Sequence, residues 1–186
     1  MGAIWKFFSD EDEDATPAQP EPPPAMQRTT VWGFMTGQHA EPDRSAAGMQ
    51  EAIAWHEAAH ARIARSQGGW AVGGMWADGE SESGLTQVDC ESGGSVHAFL
   101  LTCAAGQAGA MRYYRNQGYS LRKAKELAAE GTGSDRAQFE AAAAAGGQRW
   151  DDYVDEAYRI VRRQEYTIEQ NAKPLARRGH RGGTWA

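Results

Sequence analysis

The sequence predicts a mainly α fold of the α+β class, a helical domain that carries one small β-hairpin or sheet. Two patterns point to it. Apolar and small residues recur at helical spacing through several segments between Ser45 and Ala172, and two short runs with β-favouring residues flank the turn-rich stretch DGESESG. With 186 residues, 41% of them hydrophobic and 24% charged, the chain has room for one compact domain and some extra length, not for two full domains. No internal repeat is visible.

The elements follow in order. Residues 1–44 read as a disordered acidic and proline-rich segment. They hold the run SDEDED and five of the seven prolines between Pro17 and Pro24, with little hydrophobic periodicity. Six acids against Lys6 in the first 25 residues account for most of the net charge of -6, leaving 18 basic and 19 acidic residues in the remainder. The acidity therefore says little about the partners of the folded part. Ser45 is the expected N-cap of a helix of about twenty residues, with Met49, Ile53 and Ile63 on its stripe and Gly68-Gly69 as its stop. Trp70 to Ala77 and Leu85 to Asp89 are expected as a hairpin or a pair of edge strands. Ser95 to Arg115 is the second amphipathic helix, and its small-residue centre, TCAAGQAGA, lets another helix approach closely. Shorter helices are expected over 120–130 and from Ser134 to Ala145, and a last one from Trp150 to about Ala172, stopping before Pro174. The domain is thus placed at residues 45–175, with 176–186 as a basic flexible tail.

Cys90 and Cys103 are too few for a disulfide framework or a four-thiolate metal site. No stretch approaches the ~18 to 20 apolar residues that span a bilayer, and Met1 to Phe8 is too short and too soon acidic for a signal peptide. The expectation is a cytoplasmic protein without membrane insertion.

The chemistry concentrates in His56-Glu57-Ala58-Ala59-His60, inside the first helix. Residues i and i+4 lie one turn apart on one face, so two imidazoles can bind one zinc ion, with Glu57 beside the metal rather than on it. Zinc lowers the pKa of a bound water to about 7, and a carboxylate so placed can take its proton. A catalytic site needs a third protein ligand. The metzincin continuation is excluded, since Ile63 and Ser66 stand where it needs Gly and His. His97 falls near a helix start among core residues, and His39 and His180 lie in the expected flexible ends. Asp135, in GTGSDRAQFEAA, begins a helix after a Gly-containing loop and is the leading carboxylate, with Asp151, Asp152 and Glu82 next in line.

AIAWHEAAHARIA resembles the zinc-binding helix of the FtsH-type metalloproteases, the peptidase half of the membrane-bound AAA proteases. GGMWADGESESGLTQV is similar to that family's hairpin, LTCAAGQAGA to its small-residue helix, TGSDRAQFEAA to its aspartate segment and VDEAYRIVRRQEYTIEQNAKPLARR to its late helix. The resemblance covers about residues 46–178. It implies a helical zincin-like peptidase domain with Zn2+ held by His56, His60 and Asp135, and Glu57 as catalytic base. The sequence departs from the family at Ala59, at Gly109 and Ala110, and in a shorter loop from Thr132-Gly133 to Asp135. It contains no G-x-x-x-x-G-K-[ST] loop and none of the family's transmembrane segments. The reading is an ATP-independent zinc metallopeptidase acting on unstructured polypeptides, unaided or served by a separate unfoldase or adaptor, with homo-oligomerisation implied by the family. The alternative is a catalytically silent binding or regulatory protein using the same fold. The basic end with Arg177, Arg178 and Arg181 reads as solvated rather than as a nucleic-acid contact.

Overall fold

The computed structural model describes residues 42–67, 70–90, 95–144 and 146–182. It is mainly helical with a small antiparallel sheet, the class the sequence predicts. Helix α1 spans Ala46–Gln67, strands β1 and β2 span Trp70–Asp78 and Ser83–Cys90, and α2 spans Val96–Asn116. Helices α3 (Leu121–Ala129), α4 (Gly133–Ala143), α5 (Trp150–Arg163) and α6 (Glu165–Arg178) follow, and β3 (His180–Gly182) ends the described chain. All but three residues of the acidic N-terminal segment, Pro42, Asp43 and Arg44, lie outside the described residues.

Several helix ends form as their sequences dictate. The Ser45 hydroxyl accepts from the Gly48 N–H at 3.2 Å, Ser95 from Ala98 at 3.1 Å and Ser120 from Lys123 at 3.2 Å. Each satisfies one of the amide donors that a helix start leaves unpaired.

Helices α1 and α2 run antiparallel through the centre, and their small residues set the distance between them. A Cβ on Gly109 would collide with the Trp55 carbonyl and the Ala59 side chain, so this crossing tolerates no larger residue on α2. Ile63, Met75, Leu100, Leu101, Met111, Phe139, Val154, Val161, Ile168 and Leu175 fill the core around this pair. Burying side chains of that size contributes roughly 1.5–3 kcal/mol each.

The sheet has the order β2-β1-β3, all antiparallel. Its alternation places Met75 and Ala77 inside, fully buried, while Trp76 and the opposed Leu85 face solvent at 41% and 53% exposure. The paired positions Gly84 and Thr86 lie on the inner face, over α1. Among the described residues strand β2 is an edge.

Two expectations about the C-terminal part are corrected. The single helix from Trp150 to Ala172 is two helices, broken at Gln164 (φ -110°, ψ 14°), and Pro174 lies inside the second rather than ending it. Proline removes a helix hydrogen bond at a cost of about 3 kcal/mol, but Ile168, Ala172 and Leu175 are all buried and hold α6 on the core across the defect. The helix stops where Gly179 adopts the left-handed conformation (φ 71°), its N–H donating to the Leu175 carbonyl at 2.9 Å. The stretch expected as a flexible tail from residue 176 is therefore helix through Arg178, then a strand. His180 to Gly182 pair with Trp76 to Gly74, because β1 would otherwise expose its second edge. Residues 183–186 lie outside the described residues.

Candidate metal centre

Helix α1 carries Glu57 and His60, both buried, and the part-buried His56, against α2 and beneath β2. Asp135 arrives from the first turn of α4. That helix docks through Phe139, one turn after Asp135 on the same face, which is 1% exposed and stacks edge-on with Trp150 and Tyr153 at 5.2 Å. Burying Phe139 thus points Asp135 at the histidines.

The three side chains converge. His56 Nε2 lies 3.0 Å from Asp135 Oδ2, His60 Nε2 lies 3.2 Å from the same oxygen, and the two Nε2 atoms are 3.0 Å apart. Among the described residues this is the one group of three or more His, Cys, Asp or Glu side chains able to hold a metal ion. No family model, curated protein or solved structure matches this chain. The chemistry of the site therefore has to be read from its own geometry.

The donor set fits a divalent ion. His60 Nδ1 donates to the Thr102 carbonyl at 2.7 Å, which fixes the ring and aims Nε2 at the centre. In the neutral imidazole that Nε2 is a lone pair facing the Asp135 carboxylate oxygen, an arrangement that a cation or an added proton relieves. Ligand atoms ~2.0–2.2 Å from one tetrahedral ion stand about 3.3–3.6 Å apart. The observed triangle is contracted by a few tenths of an ångström and needs only small side-chain movements to open.

Glycine makes the room. A Cβ on Gly106 of α2 would collide with Nε2 and Cε1 of His56 and with Nε2 of His60. Gly106 stands one turn after Thr102, so a single stretch of α2 supplies both the orienting carbonyl and the space.

Electrostatics reflect the crowding. Burial alone would lower the His60 pKa, but the Asp135 carboxylate beside it and the Glu57 charge outweigh this and raise it to about 9. Burial works against ionised Asp135 too, yet the two imidazoles hold its carboxyl well below the usual range. Burial pushes Glu57 up, opposed by His56, His60 and the Thr86 hydroxyl. Cys103 is buried and its thiol is pushed up to about 12, chiefly by desolvation, which makes it an inert neighbour.

Glu57 sits beside the triangle, not in it. Its Oε1 is 3.9 Å from His56 Nε2, and its Oε2 accepts from the Thr86 hydroxyl at 2.5 Å. The other candidates lie elsewhere. Asp151 pairs with Lys125 at 3.0 Å on the surface, Asp152 is exposed on α5, and Glu82 occupies the hairpin turn. His97 bonds the Tyr153 hydroxyl and faces Glu156 in solvent, and His180 is on β3, while His39 lies outside the described residues. Sequence reasoning missed Thr86, Thr102 and Gly106. The small-residue run around Gly106 was a signal for close helix approach, but nothing in it points to the histidines.

Proposed function

We propose that this chain is a zinc-dependent metallopeptidase of the FtsH-type kind, hydrolysing unstructured polypeptides without ATP. The convergence of His56 Nε2, His60 Nε2 and Asp135 Oδ2, with a buried carboxylate on the neighbouring residue, carries the reading. A bound zinc ion would supply Lewis acidity and make water acidic enough to be deprotonated near neutral pH. The chain supplies the rest. His56, His60 and Asp135 hold the ion, and the Thr102 carbonyl keeps His60 turned toward it.

Glu57 takes the proton of the attacking water at Oε1 and returns it to the leaving amine. An extended substrate pairs with the edge that β2 presents among the described residues, directly above Glu57, where backbone hydrogen bonds bind without regard to sequence. Among the described residues no helix is long and apolar enough to cross a membrane. Folded substrates would need a separate unfoldase or adaptor.

The test is zinc content and cleavage of a permanently unfolded polypeptide by the wild type, Glu57→Gln, His60→Ala and Asp135→Asn. Zinc at one per chain is expected in the wild type and in Glu57→Gln, with cleavage in the wild type alone. Cleavage by Glu57→Gln at the wild-type rate refutes the assignment of the base. Full zinc in Asp135→Asn refutes the third ligand.

A further inference from the structure

We propose that Thr86 is the positioning residue for Glu57, holding one carboxylate oxygen so that the other is free to work. The inference rests on the peptidase reading above and extends it to a residue of the substrate-binding strand.

The division of the carboxylate is explicit in the distances. The Thr86 hydroxyl donates to Glu57 Oε2 at 2.5 Å and also reaches the Glu57 backbone carbonyl at 3.0 Å. Oε1 is left facing the histidines, 3.9 Å from His56 Nε2. A buried glutamate has three rotatable side-chain bonds, and without a partner on Oε2 several orientations compete. The hydroxyl selects one and leaves lone pairs on the oxygen that has a proton to accept.

Strand periodicity explains how one hydroxyl comes to this place. Gly84 and Thr86 are alternate positions on the inner face of β2, opposite Ala77 and Met75. A Cβ on Gly84 would collide with Glu57 Oε1 and Ile53, so only glycine leaves the working oxygen its space. Two residues on, the hydroxyl closes on the other oxygen. Strand β2 is also the sheet edge on which an extended peptide would pair. The strand that receives the substrate is thus the strand that holds the base, and a peptide that seats β2 correctly sets Glu57 at the same time.

Thr86→Val removes the hydroxyl at nearly constant shape, and Thr86→Ser keeps it. With zinc content unchanged, Thr86→Val should lose roughly 10- to 100-fold in kcat with KM within about twofold, and Thr86→Ser should stay within about threefold of wild type. Wild-type kcat in Thr86→Val, a loss confined to KM, or Thr86→Ser as poor as Thr86→Val overturns the proposal. Should Thr86→Val not fold, Thr86→Ala carries the same comparison.

A second readout needs no turnover. In the metal-free full-length chain, unfolding of Thr86→Val, Glu57→Ala and the double variant should be non-additive, the unfolding constant of the double differing at least about threefold from the product of the single effects. An inactive wild type refutes the peptidase reading. The cycle then decides the hold on Glu57, and additivity overturns it.

Discussion

Replacing Gly106 with alanine tests the centre without altering any ligand. In a helix the change by itself favours folding by about 1 kcal/mol. Against this stands the collision of the new methyl with both imidazole rings, His56 at Nε2 and Cε1 and His60 at Nε2, and overpacking of a tight core costs roughly 1–3 kcal/mol. The net effect on the metal-free fold lies between nothing and about 2 kcal/mol of destabilisation. Metal binding suffers far more. Disturbing a group that merely orients a ligand costs ~10–100-fold in affinity, and here two ligands are displaced together, so Gly106→Ala should bind zinc at least about 100-fold more weakly, or about 2.7 kcal/mol. Competition against a chromogenic chelator measures this, with thermal melts as a check on folding. Gly133→Ala is the control, because its added Cβ meets nothing within 4 Å. A folded Gly106→Ala that binds zinc within threefold of wild type refutes the placement of the histidines against α2.

Phe139→Ala should cost about 3–5 kcal/mol in denaturant unfolding and weaken zinc binding as well, although Phe139 touches no ligand; unchanged affinity would separate the docking of α4 from the position of Asp135. Trp150→Phe strands the buried Gln107 Oε1, which now accepts from the indole N–H at 2.9 Å, and should cost about 1–3 kcal/mol; a melt indistinguishable from wild type would show that the oxygen finds another partner. The metal-free protein should also lose stability on the alkaline side. His60 is raised from about 6.5 unfolded to about 9 folded, so its ion pair with Asp135 contributes fully below pH 6.5 and is lost as pH rises through 9. Asp135, held low, acts in the opposite sense and loses its contribution only in acid. Urea midpoints should fall from pH 7 to 9.5 without metal and stay level with saturating zinc; equal slopes in both forms contradict the ligand role of His60.

What could be read from the sequence, and what could not, follows from the range of the interactions involved. The His56–His60 pairing depends on helix periodicity alone, a property of five consecutive residues, and Ser45, Ser95 and Ser120 cap their helices through contacts three residues long. Asp135 was legible as a loop-to-helix carboxylate, and the resemblance narrowed the choice among the acids, but its approach to the histidines depends on Phe139 finding the core. Thr86, Gly84 and Gly106 act across 27 to 50 residues of sequence, so their roles exist only once α1, α2 and β2 have met in one register. The break at Gln164 and the passage of α6 through Pro174 show the same limit from the other side. Local propensity argued for one helix ending early, and burial of Ile168, Ala172 and Leu175 overrode it. Strand β3 has no pattern of its own at three residues; the free edge of β1 creates it.

The four ionisable groups of the centre also form a balanced set. An unpaired charge in a low-dielectric interior costs several kcal/mol. Without metal, a protonated His60 answers an ionised Asp135, while burial pushes Glu57 toward its neutral acid, so the cluster approaches neutrality. With a divalent cation, both imidazoles can be neutral and both carboxylates ionised, and the sum is again zero. The same side chains could therefore accommodate either protons or a dication without leaving a net buried charge, and binding of a dication would displace protons from the groups that held them. A monovalent ion would leave one carboxylate unanswered, and a third histidine in place of Asp135 would leave a net positive centre with the dication present. Two imidazoles and two carboxylates are a set whose charge would match a 2+ ion.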